Sequence, residues 1–132
     1  MDTNVILRFL TSDDAERNAR ATKLFERVEK GELKVVVPIL VIAEAVYVLS
    51  SPRLYNRSRP EIFGMLSRLL KVPGFKVKSR RTVMKALQLY LTTSLDFEDA
   101  YLAVTMLQAG PREIYSFDRD FDKVAGIKRI EP

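Results

Sequence analysis

At 132 residues the chain has room for one apolar core and one active site, and it is read as a single domain spanning 1–132. Hydrophobic residues make up 47% and charged residues 30%, which excludes a disordered polymer, and neither a signal peptide nor a spanning run of apolar residues is present, so the expectation is a cytoplasmic protein with no membrane partner. Cysteine and histidine are both missing, which removes disulfides, thiolate nucleophiles, Ser-His-Asp triads and imidazole bases; chemistry must rest on carboxylates, lysines, hydroxyls or a hard metal ion, and the net charge of +5 suits a polyanion such as RNA without demanding one.

In chain order, Val5 to Leu10 is apolar, and Asp13 and Asp14 are caps for a helix whose Ala21, Leu24, Phe25 and Val28 share a face until Gly31. Lys34 to Val37 reads as a buried strand stopped by Pro38, followed by a nearly all-apolar helix from Ile39 to Leu49. Ser58-Arg59-Pro60-Glu61 is a capping box ahead of a helix facing inward through Ile62, Met65, Leu66, Leu69 and Leu70. After Pro73-Gly74 comes a strand at Phe75 to Val77, then a helix capped by Ser79 with Val83, Ala86, Leu87, Tyr90 and Leu91 on its stripe. Asp96 caps the next helix, Phe97 to Ala109, which Gly110-Pro111 closes; strands at Glu113 to Phe117 and Ile127 to Ile130 complete the chain. Strands alternating with helices imply an α/β protein with a mainly parallel sheet covered on both faces.

Ligands of such sheets gather beyond the carboxyl ends of the strands. Asp2 is expected at the end of a first strand, Asp118 at the end of the strand finishing in Ser116-Phe117, and Asp96 and Asp99 at a helix start facing the same edge. Glu44 lies inside a helix so apolar that its carboxylate is expected to be buried, at a cost of several kcal/mol unless a cation or a base offsets it. If Asp2, Glu44, Asp99 and Asp118 converge, each like-charge pair at about 4 Å repels by roughly 4 kcal/mol at an effective dielectric near 20. Oxygen-only ligands favour Mg²⁺ or Mn²⁺, which can activate water against a phosphodiester without histidine.

Ordinary explanations exist for each acid. Asp96 is explained by capping alone, Asp99 by the cap and the helix dipole, Glu44 by an arginine partner, and Asp2 by a solvated terminal position. Asp118, Asp120 and Asp122 share one polar turn, and residue chemistry does not choose among them.

Taken together, Asp2-Thr3-Asn4-Val5-Ile6-Leu7-Arg8, Pro38 through Glu44 to Leu49, Asp96-Phe97-Glu98-Asp99-Ala100 and Ser116-Phe117-Asp118-Arg119-Asp120-Phe121 resemble the PIN-domain family in order and spacing, with similarity to its VapC-type branch. The resemblance implies a three-layer α/β/α PIN-like fold with a mainly parallel central sheet. It also implies Mg²⁺- or Mn²⁺-dependent endoribonuclease activity as the toxin of a toxin–antitoxin pair, with RNA as substrate, homodimerisation and a cognate antitoxin. Carried over by position, the catalytic and metal-holding acids are Asp2, Glu44, Asp99 and Asp118; Thr3, Asn4, Asp96 and Ser116 support them, and Asp120 is the substitute for Asp118. Family members carry several apolar residues before the first Asp as the central strand, whereas only Met1 precedes Asp2 here, so the expectation is a truncated strand or a start inside a longer reading frame, with Asp2 less firmly held.

Competing readings are a non-catalytic PIN scaffold binding RNA or a protein, and a phosphorylatable receiver domain, which lacks its acidic pair after the first strand and its lysine after the last. Candidate RNA-steering residues are Arg53, Arg57, Arg59, Arg80, Arg81, Arg112 and Arg119, and the stripes of the helices beginning near Ser58 and Ser79 are the candidate dimer surface.

Overall fold

Asp2 leaves the extended backbone at φ −95°, ψ 170°, and its carboxylate accepts the Val5 N–H, so the chain enters helix α1, Thr3–Leu10, almost at once. The computed structural model describes residues 1–132 and divides into two compact units, Met1–Arg80 and Arg81–Pro132.

In the first unit α1 packs on α2, Ala15–Glu29, and on α3, Ile39–Ser50. Asp14 caps α2 through the Arg17 N–H, while Asp13, expected as a cap, takes Arg8, Thr11 and Tyr55 as partners instead. Gly31 ends α2 in the left-handed region at φ 75°, where a side chain would be strained. Strand β1, Val35–Val36, pairs in parallel with β2, Phe75–Lys76, and α3 and α4, Arg59–Leu70, form the crossover between them. Both halves of the Ser58–Glu61 capping box form at the start of α4, a device that stabilises a helix by about 1 kcal/mol. The core gathers Ile6, Phe25, Val28, Ile42, Leu49, Ile62, Leu66, Leu70 and Phe75, with the rings of Phe9 and Phe25 stacked 4.0 Å apart.

Gly74 brings β2 against the end of α2. A Cβ there would lie 2.6 Å from the Val28 carbonyl oxygen and 2.8 Å from that of Leu33, two backbone atoms that cannot swing away. We expect Gly74→Ala to cost about 2 kcal/mol, read as a lower urea midpoint at unchanged slope; an unchanged midpoint would show that the turn yields.

The second unit holds most of α5, Arg80–Thr92, then α6, Phe97–Ala109, β3, Glu113–Tyr115, a 3₁₀ turn at Arg119–Lys123, and β4, Lys128–Ile130. Thr82 on α5 donates to the Gln108 side chain on α6 at 3.0 Å, and Gly110, φ 114°, closes α6. Strands β3 and β4 pair in parallel, Glu113 with Lys128 through Tyr115 with Ile130. Ser79 does not have the extended backbone of a cap: it sits at φ 56°.

The fold is α/β with every strand pair parallel, and the strands are two or three residues long, one pair in each unit. Two expectations change. The chain before α1 forms no strand. On the stripes of α4 and α5, Ile62, Leu66, Val83, Ala86 and Leu87 are fully buried in the monomer, which leaves Met65 and Leu91 as the partly exposed members of the candidate dimer surface.

Candidate active site

In the first unit the packing of α1 on α3 joins Thr3 to Glu44: the buried Thr3 hydroxyl donates to Glu44 Oε2 at 2.7 Å. Asp2 is the chain neighbour of Thr3, whose side chain bonds Glu44, and one Asp2 oxygen is engaged by the Val5 N–H at 3.1 Å. Asp2 and Asn4 are exposed, and the Asn4 side chain bonds to neither acid. Glu44 corrects an expectation. It is exposed, because α3 buries Ile42, Ala45, Val46 and Leu49 and turns Leu40, Glu44 and Tyr47 outward. No burial cost therefore has to be offset at Glu44; what fixes it is the Thr3 hydroxyl.

In the second unit Asp96 caps α6, its carboxylate accepting the Asp99 N–H at 2.9 Å. Burial pushes the Asp99 carboxyl up to about 6, and the charges of Asp96 and Asp118, a hydrogen bond with the Asp96 side chain and the charge of Glu98 add to the effect. Asp99 and Asp118, nineteen positions apart and on different elements, therefore feel each other. Asp118 is fixed from both sides: its N–H donates to Ser116 Oγ at 3.0 Å, and its Oδ1 accepts the Asp120 N–H at 2.8 Å as the cap of the 3₁₀ turn.

The turn's three acids, indistinguishable by residue type, are separated by their partners. Asp120 is paired with Lys123 at 3.0 Å, and Asp122 with Arg129 at 3.1 Å. Asp118 has no cationic partner, which leaves its carboxylate available to an incoming ion. Arg129 had no place among the candidate residues. Its side chain, 11% exposed, donates to the Ser116 carbonyl oxygen at 3.0 Å while bridging Asp122 and Glu131, and so braces the backbone from which Asp118 projects. Its place as the middle residue of β4, paired with Ile114, aligns it with that carbonyl, which residue type alone does not reveal. Of the candidate steering arginines, Arg57 is paired with Glu61 and Arg80 donates to the Val72 and Phe75 carbonyl oxygens, so both serve the fold.

The structure thus links Glu44 to Thr3 beside Asp2 in one unit, and groups Asp96, Asp99 and Asp118 in the other. In neither unit do three or more acids stand close enough to hold an ion among themselves. The donor set is nevertheless all oxygen, and Asp99 is a carboxyl destabilised by its acidic neighbours, the condition a hard divalent cation relieves.

The chain matches the PIN domain over residues 1–127, and it belongs to the PIN-domain family. Within that family it is similar to the VapC ribonuclease of Aquifex aeolicus (strain VF5), with 32% identity over 133 residues, covering 100% of this chain and 95% of that protein.

Proposed function

We propose that the chain is a divalent-metal-dependent endoribonuclease of the VapC type, acting as the toxin of a toxin–antitoxin pair on an RNA substrate in the cytoplasm. The observation that carries the reading is Asp99: a carboxyl raised to about 6 by burial and by Asp96 and Asp118, in a family whose relative is a ribonuclease. Residues 1–132 act as one PIN domain of the three-layer α/β/α kind with a mainly parallel central sheet, a reading supported by the match across 1–127. Asp2, Glu44, Asp99 and Asp118 are the catalytic acids and would hold Mg²⁺ or Mn²⁺.

A bound divalent ion would supply Lewis acidity toward water and positive charge toward a phosphodiester. The protein's own groups do the rest. Thr3 holds one Glu44 oxygen and thereby fixes the other, Ser116 and the Asp120 N–H fix Asp118, and Asp96 fixes the backbone of Asp99. With no ion bound, burial and the charges of Asp96 and Asp118 hold the Asp99 carboxyl at about 6, a repulsion that a bound divalent ion would relieve. Asp120, engaged by Lys123, supports the turn and leaves metal holding to Asp118.

A cognate antitoxin and a homodimer complete the reading; light scattering on the eluted protein would read the dimer directly. The activity is tested with end-labelled RNA. Endonucleolytic fragments are expected with Mg²⁺ or Mn²⁺ and none with a chelator. RNA that is bound but left intact under every metal condition would make the chain a non-catalytic PIN scaffold.

A further inference from the structure

An open cleft of about 490 Å³ lies between residues of α1 and α2, wholly within the first unit. Its size falls in the range of small-molecule sites, roughly 300–1,000 Å³. The lining comes from two helical faces: Asn4, Val5 and Arg8 with the Asp2 cap on one side, and Arg17, Arg20, Ala21 and Leu24, spaced i, i+3, i+4, i+7, on the other. The floor is apolar and the rim carries three guanidiniums. Arg8 is held by one nitrogen to Asp13 at 3.1 Å and Arg17 by Nε to Asp14 at 3.5 Å, which leaves their remaining N–H groups available. Arg20 has no ion pair. None of these three belongs to the loop arginines singled out by sequence, and Asp2 itself forms one end of the cleft.

We infer that this cleft is a nucleotide subsite, in which Arg8, Arg17 and Arg20 take successive phosphates of single-stranded RNA while a base lies on Val5, Ala21 and Leu24. The inference rests on the nuclease reading and deepens it, since the subsite would hold RNA beside Asp2. A planar guanidinium matches phosphate oxygens in a two-pronged geometry, and three of them around one opening exceed what an apolar ligand would use. An apolar floor suits an unstacked base, whose face tolerates any sequence. The positions that a cleft of this kind governs are affinity and register, not bond breaking.

The test uses a labelled single-stranded RNA oligonucleotide with metal chelated, so that it is bound and not cut, and reads fluorescence anisotropy across a range of salt. Arg17→Ala/Arg20→Ala should bind about tenfold more weakly, and the slope of log affinity on log salt should shrink by about 1.4, the expectation for two lost phosphate contacts on a single strand. Arg20→Lys, which keeps the charge, should keep the wild-type slope. If the double variant unfolds, Arg20→Gln alone, at an exposed position, should reduce the slope by about 0.7. Unchanged affinity and slope would overturn the subsite. So would a loss seen only with a polyglutamate probe, which would assign the cleft to an acidic protein partner. Failure of the nuclease reading is separately visible: wild-type protein that binds the oligonucleotide through Arg17 and Arg20 but cuts no RNA with Mg²⁺ keeps the cleft and loses the function.

Discussion

Glu44→Ala and Asp99→Ala should each lower the rate of RNA cleavage with Mg²⁺ by at least about 100-fold, an effect typical of removing a charged group from the reacting centre. The two residues lie in different units and answer to different neighbours, Glu44 to Thr3 and Asp99 to Asp96 and Asp118. Equal losses from both would therefore mean one shared chemistry. Glu44 is the cleaner probe, because it is exposed and its removal leaves only the Thr3 hydroxyl without its acceptor. Stability should change little, so a near-total loss of cleavage would reflect chemistry. Wild-type rates in either variant would remove that acid from the active set.

The second large effect is a dependence of stability on pH at Asp99. Its carboxyl titrates near 6 in the folded protein against 3.8 in the unfolded chain, so between those values the folded state keeps a proton that the unfolded state has released. The contribution of Asp99 to stability is then greatest below about pH 4, is lost as pH rises to about 6 and stays flat above, in the absence of metal. Asp99→Asn cannot ionise and escapes the fall. After allowance for solvent screening at this partly open position, the relief is about 1.5 kcal/mol, and the helix-dipole benefit lost with the negative charge, about 0.5 kcal/mol, is the smaller term. The metal-free variant should melt about 3 °C above wild type at pH 8 and alongside it at pH 4, as calorimetric scans would record. Adding Mn²⁺ at pH 8 should raise wild type and leave the variant where it was. A variant less stable than wild type at pH 8 without metal would mean that the acidic neighbours do not strain Asp99.

Much of the local structure was legible because it depends on neighbours in sequence. The capping box at Ser58, the caps at Asp14 and Asp96 and the stops at Gly31 and Gly110 all follow from residues within a turn of each other, and all four strands fall inside the stretches their β-branched and aromatic residues mark. What was not legible depends on contacts made at a distance. An almost wholly apolar α3 predicts a buried Glu44, yet which side of a uniformly apolar helix stays open is decided by what packs on it, and α1 leaves Glu44 on the open side next to Leu40 and Tyr47. That Asp120 and Asp122 are ion-paired and Asp118 is not depends on the fold of the 3₁₀ turn and the register of β4, which deliver Lys123 and Arg129 to those two acids. Asp2 was expected at a strand end and is a helix cap, because its carboxylate can satisfy a backbone N–H three residues on whatever precedes it.

The proposed function requires that Glu44 and Asp118 each contribute to holding a divalent ion. Calorimetric titration of Mn²⁺ into wild-type protein and into the Glu44→Ala and Asp118→Ala variants measures this directly. Saturable binding by wild type that either substitution abolishes is the predicted result; binding that survives Glu44→Ala and is lost only with Asp118→Ala would remove Glu44 from the proposed metal-holding set and contradict it.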